Sequence, residues 1–155
     1  MTIEQVLDKE FESLQNDLVL KYKELGMRAS GKWEDSLERI VSPMNAKIIG
    51  EDYTNQLVSG RKPGSFPPVD AIKKWIVDKG IVNNIKGNIS VSSLAFLIAR
   101  KIAREGTKYF KQGGTDLISS VATEKRMQSI IDKVGVSATI AFVKRIENQF
   151  KTLKV

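Results

Sequence analysis

The chain has 155 residues, 41% hydrophobic and 28% charged, the composition of one globular domain with a core of its own rather than of a disordered segment. It contains no cysteine and no histidine, which removes disulfides, thiolate chemistry, Cys/His metal sites and the commonest general base. The net charge of +7 is uneven: residues 1–60 carry seven basic and eleven acidic side chains, residues 61–155 eighteen and seven.

A basic balance favours nucleic acid or another anionic surface, and it also fits a plain solvated face. An acidic half beside a basic half suits head-to-tail association of identical copies. No apolar run approaches the roughly 20 residues of a membrane span. The mixed charge from Glu4 onward is not that of a secretory signal.

Within residues 1–27, Ile3, Leu7, Phe11, Leu14, Leu18, Tyr22 and Leu25 recur at spacings of three and four. That draws one apolar stripe on a long amphipathic N-terminal helix. Thr2 lies too near the end to be expected as its cap. Gly26 interrupts the stripe, and Arg28–Lys32 reads as a loop. Ser36–Ser42 alternates loosely as a strand, Pro43 and Asn45 form a turn, and Ala46–Val58 supplies one or two more strands with Gly50 as a bulge or a turn.

Residues 56–80 are the most heavily punctuated part of the chain, with three of its four prolines. Leu57-Val58 reads as a strand end. Gly60 and Gly64 permit reversal, Pro63 fixes φ, and Pro67-Pro68 holds Phe66 extended just before a helix. Val69, Ile72, Trp75 and Ile76 share one face of that helix, and Gly80 closes it. Residues 81–89 read as a surface loop. Ser90 or Ser92 caps the next helix, whose buried face is Leu94, Leu97, Ile98 and Ile102, with Ala95, Ala99 and Ala103 permitting close approach. Arg100, Lys101 and Arg104 gather at its C-terminal end, where cations suit the helix dipole.

Lys108–Gly114 reads as irregular, with Tyr109 and Phe110 between lysines. Such interleaving can stack single-stranded bases, or it can simply anchor a loop on the core. Thr115 or Asp116 opens a helix through Ile118 and Val121. Met127, Ile130, Ile131 and Val134 continue to Gly135, and Ser137 opens a last helix with Ile140, Val143, Ile146 and Phe150 inward. The expected class is therefore α+β: one domain over 1–155, with a small antiparallel sheet of about three strands and four or five helices.

No catalytic constellation is visible. Gly60–Gly64 lacks the spacing and ending of a nucleotide phosphate loop. The Glu34-Asp35 and Glu51-Asp52 pairs are adjacent, so on a strand they would point to opposite faces. The chain is not expected to be an enzyme, and neither a cofactor nor a metal is expected.

The stretch Gly60-Arg-Lys-Pro-Gly-Ser-Phe-Pro-Pro-Val-Asp-Ala-Ile-Lys-Lys-Trp-Ile-Val-Asp-Lys-Gly-Ile81 resembles the hallmark of the tail-completion, or neck, proteins of tailed bacteriophages. Leu94–Thr107, a helix ending in Lys-Ile-x-x-x-Gly-Thr, looks like that family's second block. Lys108-Tyr-Phe110 stands where the family often has a Pro-Phe loop, without the proline. Ser30–Ser36 looks like the small-residue turn that introduces its first strand. The resemblance covers roughly residues 30–110, in order, whereas residues 115–155 fit less distinctively.

The resemblance implies a non-enzymatic virion protein at the head–tail interface or in the tail, assembled in the host cytoplasm. It would form a six- or twelve-fold ring joining portal or adaptor and tail proteins, without a membrane, around a channel that genomic DNA crosses with transient, non-specific contacts. On that reading Gly60, Arg61, Lys62, Pro63, Gly64, Phe66, Pro67, Pro68, Tyr109 and Phe110 are candidates for subunit or partner contacts. Lys73, Lys74, Arg100, Lys101 and Arg104 are candidates for the DNA channel. The alternative is a small basic nucleic-acid-binding protein.

Overall fold

A computed structural model describes residues 1–153. Helix α1 (Ile3–Glu24) is the spine. Contrary to expectation, Thr2 does cap it: its hydroxyl accepts from Gln5 N at 3.1 Å, and Gln5 Oε1 accepts from Thr2 N at 2.8 Å, a reciprocal capping box. The apolar stripe is real, with Leu14 and Tyr22 buried, but Val6, one position off it, is buried as well.

One side of α1 carries an antiparallel hairpin, β1 (Glu38–Ser42) and β2 (Asn45–Ile49), in the register Arg39↔Ile48 and Val41↔Ala46. The sheet has these two strands among the described residues, not three. Its turn is Pro43-Met44, and Asn45 already belongs to β2. Arg39, Val41, Ala46 and Ile48 face inward, while Ile40, Lys47 and Ile49 face solvent. Arg39 fixes the hairpin on α1 by reaching Asp8 Oδ1 at 2.8 Å and Gln15 Oε1 at 3.1 Å. Gln15 in turn donates to Leu37 O at 3.1 Å.

The sequence from Gly26 to Gly60 departs most from expectation. Lys32–Ser36 is a short helix, α2, and Thr54–Ser59, read as strand, is helix α3. Trp33 decides this region. It is 2% exposed, its ring lies 4.6 Å from that of Tyr22, and its indole N–H donates to Thr54 Oγ1 at 2.9 Å. Thr54 Oγ1 donates onward to Glu51 O at 2.6 Å, turning the chain after β2. Leu57 and Val58 pack on this cluster from a helix, so their β-branched and apolar character serves burial rather than strand pairing.

Helices α4 (Val69–Asp78) and α5 (Val91–Glu105) form a second cluster through Ile72, Ile76, Ala95 and Ala99, the last two wholly buried where the helices approach closely. Leu97, expected inside, and Trp75, expected on one face with Ile72 and Ile76, are both exposed. The segment between the two helices includes a 3₁₀ turn, Ile81–Asn84. Lys79 ties the pair to the α1–α2 turn by donating to the carbonyls of Gly26 and, at 3.0 Å, Arg28.

A single helical turn, α6 (Lys108–Lys111), replaces the irregular segment expected there. Residues 117–122 form turns rather than a helix, with Leu117 and Val121 buried. Helix α7 (Glu124–Thr152) then runs unbroken through Gly135, about 43 Å long, capped by Thr123. Its first half packs on α1 through Ile130 and Val134, with ion pairs Arg126–Asp17 and Lys133–Glu10, each at 2.7 Å. The C-terminal segment is thus one helix, and Ile140, Val143, Ile146 and Phe150, expected inward, are exposed.

The Tyr22 phenol is pushed up to about 12, first by burial and then by Tyr53 and Glu34 beside it. Its folded pKa is raised, so the stability linked to it is complete below the ordinary value of 10.0 and is lost as pH rises toward about 12. In Tyr22→Phe the denaturant midpoint, followed from about pH 8 to about pH 11.5, should fall less steeply than in the unaltered chain.

Candidate subunit and nucleic-acid interface

The two sequence blocks, far apart in the chain, meet in space. Gly60 ends α3 with φ 75° and ψ 179°, and Gly106 ends α5 with φ 79° and ψ 177°. Between them Arg61 and Thr107 bond twice: Arg61 N donates to Thr107 Oγ1 at 2.9 Å, and Thr107 N donates to Arg61 O at 2.9 Å. Gly64 N donates to Ala103 O at 2.9 Å, satisfying one of the carbonyls a helix end leaves open. A second strap follows, in which Thr115 N donates to Val58 O at 2.7 Å and Thr115 Oγ1 to Leu57 O at 2.6 Å.

Both glycines are required by contact as well as by positive φ. A Cβ on Gly60 would lie 2.1 Å from Phe110 N, and one on Gly106 would lie 2.8 Å from Arg61 O. The loop from Gly60 to Pro68 is therefore latched to the end of α5 and does not swing as a free hinge. Pro67 is buried beneath it, and Pro68 stands at the start of α4.

What the latch presents outward is aromatic and basic. Phe66 is 47% exposed and meets Phe96 with ring centroids 5.6 Å apart, forming a small apolar patch at the loop tip. Phe96 was not singled out from sequence, because at its place on α5 it reads as one more apolar residue of the helix. Phe110 closes over Gly60 and Gly106 and remains partly exposed. Tyr109 turns the other way and packs on the Trp33 cluster, and burial raises its phenol pKa. Its ring is partly buried there, on the core side of the segment.

The basic candidates divide. Lys73 lies 3.5 Å from Asp70, and Lys74 lies 2.7 Å from Asp78, so carboxylates of their own helix answer both. Arg100, Lys101 and Arg104 are exposed, with no carboxylate within 4.0 Å among the described residues. Arg61 and Lys62 join the same end of α5 through the latch. Arg61 also donates to Ser65 Oγ at 3.2 Å. At this end cations without a carboxylate partner adjoin the exposed rings of Phe96 and Phe110. Among the described residues no acidic group clusters as a metal site would need, and no helix is long and apolar enough to cross a membrane.

Gly60→Ala should lower stability by at least about 2 kcal/mol, because strain at positive φ adds to a backbone collision. Urea unfolding should show it as a lower midpoint, whereas Gly87→Ala, which meets nothing within 4 Å at a similar φ of 88°, should cost about half as much or less. Comparison with protein-family models, with curated proteins and with solved structures finds no match for this chain.

Proposed function

We propose that the chain is a structural protein of a tailed bacteriophage that assembles as a ring in the neck or tail, joining portal or adaptor to tail around the DNA channel. The observation that carries this reading is the latch. The two blocks on which the family resemblance rests, Gly60–Ile81 and Leu94–Thr107, pack against each other as one unit. A rigid loop tipped by Phe66, whose ring rests against Phe96 of α5, suits insertion into a neighbour, since a preformed contact surface loses little freedom on binding. Ring closure needs such heterologous contacts, in which one surface meets a different surface of the next copy.

Arg100, Lys101 and Arg104 supply unpaired positive charge next to that loop, suited to weak, sequence-independent attraction for a passing phosphate backbone. The acidic N-terminal part contributes less to inter-subunit complementarity than its count suggests. Glu10 and Asp17 are already engaged by Lys133 and Arg126 of the same chain.

Light scattering on the purified chain, alone and mixed with the portal ring of the same phage, tests the reading. The expected result is particles holding six or twelve copies on the portal, with Phe66→Ser weakening the joining at least tenfold and leaving the denaturant midpoint nearly unchanged. The alternative would prevail if the mass ignored the portal while the free chain bound duplex DNA tightly. Its log–log salt dependence would then be steep enough to count several phosphates.

A further inference from the structure

The second half of α7 leaves the body. From Thr139 to Leu153 every residue is exposed. Yet this segment is strongly two-faced. At 100° per residue Phe142, Leu153, Ile146, Phe150, Val143, Val136 and Ile140 fall within one arc of about 160°, with Lys144 at its margin and Arg145, Asn148 and Thr152 opposite. Phe142 is 65% exposed, Phe150 69% and Leu153 66%. At about 150–250 Å² for a fully exposed large side chain, the seven together uncover roughly 700 Å². That exceeds the few hundred Å² of apolar patch usual on a monomer and approaches the ~800 Å² per partner of a stable interface.

We propose that this face is covered by the same face of a second copy, with the two α7 arms antiparallel. The sequence is self-complementary in that direction. Val136, Thr139, Val143, Ile146, Phe150 and Leu153 follow alternating spacings of three and four, a coiled-coil seam. Reversing one arm on the other sets Val136 opposite Leu153, Val143 opposite Ile146, and Thr139, the one small residue of the seam, opposite Phe150. The Thr139 hydroxyl donates to Gly135 O at 2.9 Å, so its methyl is left for the ring of Phe150.

The base of the arm offers a landing place for the partner's tip. A shallow groove of about 530 Å³ there has Met1, Val6, Val136 and Ile140 in its lining, alongside Ser137 and four charged side chains of α1 and α7. Glu147 favours a protein over a lipid surface as the occupant. It sits inside the apolar arc, where a hydrocarbon environment would leave its charge unanswered, whereas in the antiparallel pair it comes beside Lys144 of the other copy. The contact is two-fold and closes on itself, so it stops at two copies and leaves the Gly60–Pro68 latch uncovered.

The full chain should therefore have the mass of two copies by light scattering, and Phe150→Asp should raise the dissociation constant at least tenfold. Phe150 lies beyond the body, so the substitution leaves its folding intact. The absence of native cysteine makes introduced thiols unambiguous. Val136→Cys and Leu153→Cys should each stay uncross-linked alone under mild oxidation and cross-link when mixed. Single-copy mass up to about 100 µM, or each cysteine variant cross-linking to itself, would overturn the pairing. So would single-copy mass combined with binding to phosphatidylglycerol vesicles. The pairing does not rest on the ring reading. A chain that pairs but ignores a portal sinks the ring alone, and a chain that stays single yet joins a portal sinks the pairing alone.

Discussion

The burial of Trp33 is the contact on which most of this fold depends. One side chain, on a helix of five residues, meets Tyr22 of α1, holds Thr54 at the start of α3, and shares its cluster with Leu117 from the far end of the chain. Helix α2 is too short to be stable by itself, so it persists because the indole is worth several kcal/mol buried and its N–H has a partner. Gly50 belongs to the same arrangement: a Cβ there would lie 3.0 Å from Leu37 and 3.4 Å from the indole nitrogen. Glu34 follows Trp33 into a nearly buried position, held by Arg28 at 2.7 Å and Lys23 at 3.3 Å. The acidic pair Glu34-Asp35 is thus split, one carboxylate structural and the other solvated.

The latch depends on this cluster at one remove. Helix α3 is placed by Thr54, Leu57 and Val58, and it ends at Gly60, where α5 and α6 close in. Stiffness there comes less from the prolines than from bonds between segments far apart in the chain, between Arg61 and Thr107 and between Gly64 and Ala103. Composition alone suggests a projecting hinge. The bonding makes it a fixed edge with one aromatic tip.

Local signals were legible where one element answers to its own periodicity. The α1 stripe, the hairpin's first strand, the Gly80 and Gly106 stops and the Ser90 cap could all be read from residue order. They failed where tertiary contacts override propensity. Leu57-Val58 has strand-like side chains but joins no strand, because it lies in helix α3, which Trp33 anchors through Thr54. Gly135 reads as a stop, yet a Cβ there would meet nothing within 4 Å, and the helix simply continues. Trp75 and Leu97 obey their helical period but fall at the edge of a narrow two-helix contact, where small Ala95 and Ala99 take the centre. Among the candidate site residues, the latch glycines and Phe66 were legible as special. The pairing of Lys73 with Asp70 and of Lys74 with Asp78 was not, since i,i+3 and i,i+4 contacts become definite only once the helix frame is known.

Helix α7 is one continuous element governed by two different sets of constraints. Up to Ser137, whose hydroxyl donates to Met1 O at 2.7 Å, the inward positions must satisfy neighbours in their own chain. Beyond Thr139 no position does. Over evolutionary time the first half can change only in step with α1 and the turns before it. The second half is free to lengthen, shorten or exchange residues without disturbing the body. Gly135 stands near that divide with open space around it. A lineage can thus alter what the arm meets while inheriting the rest of the fold unchanged.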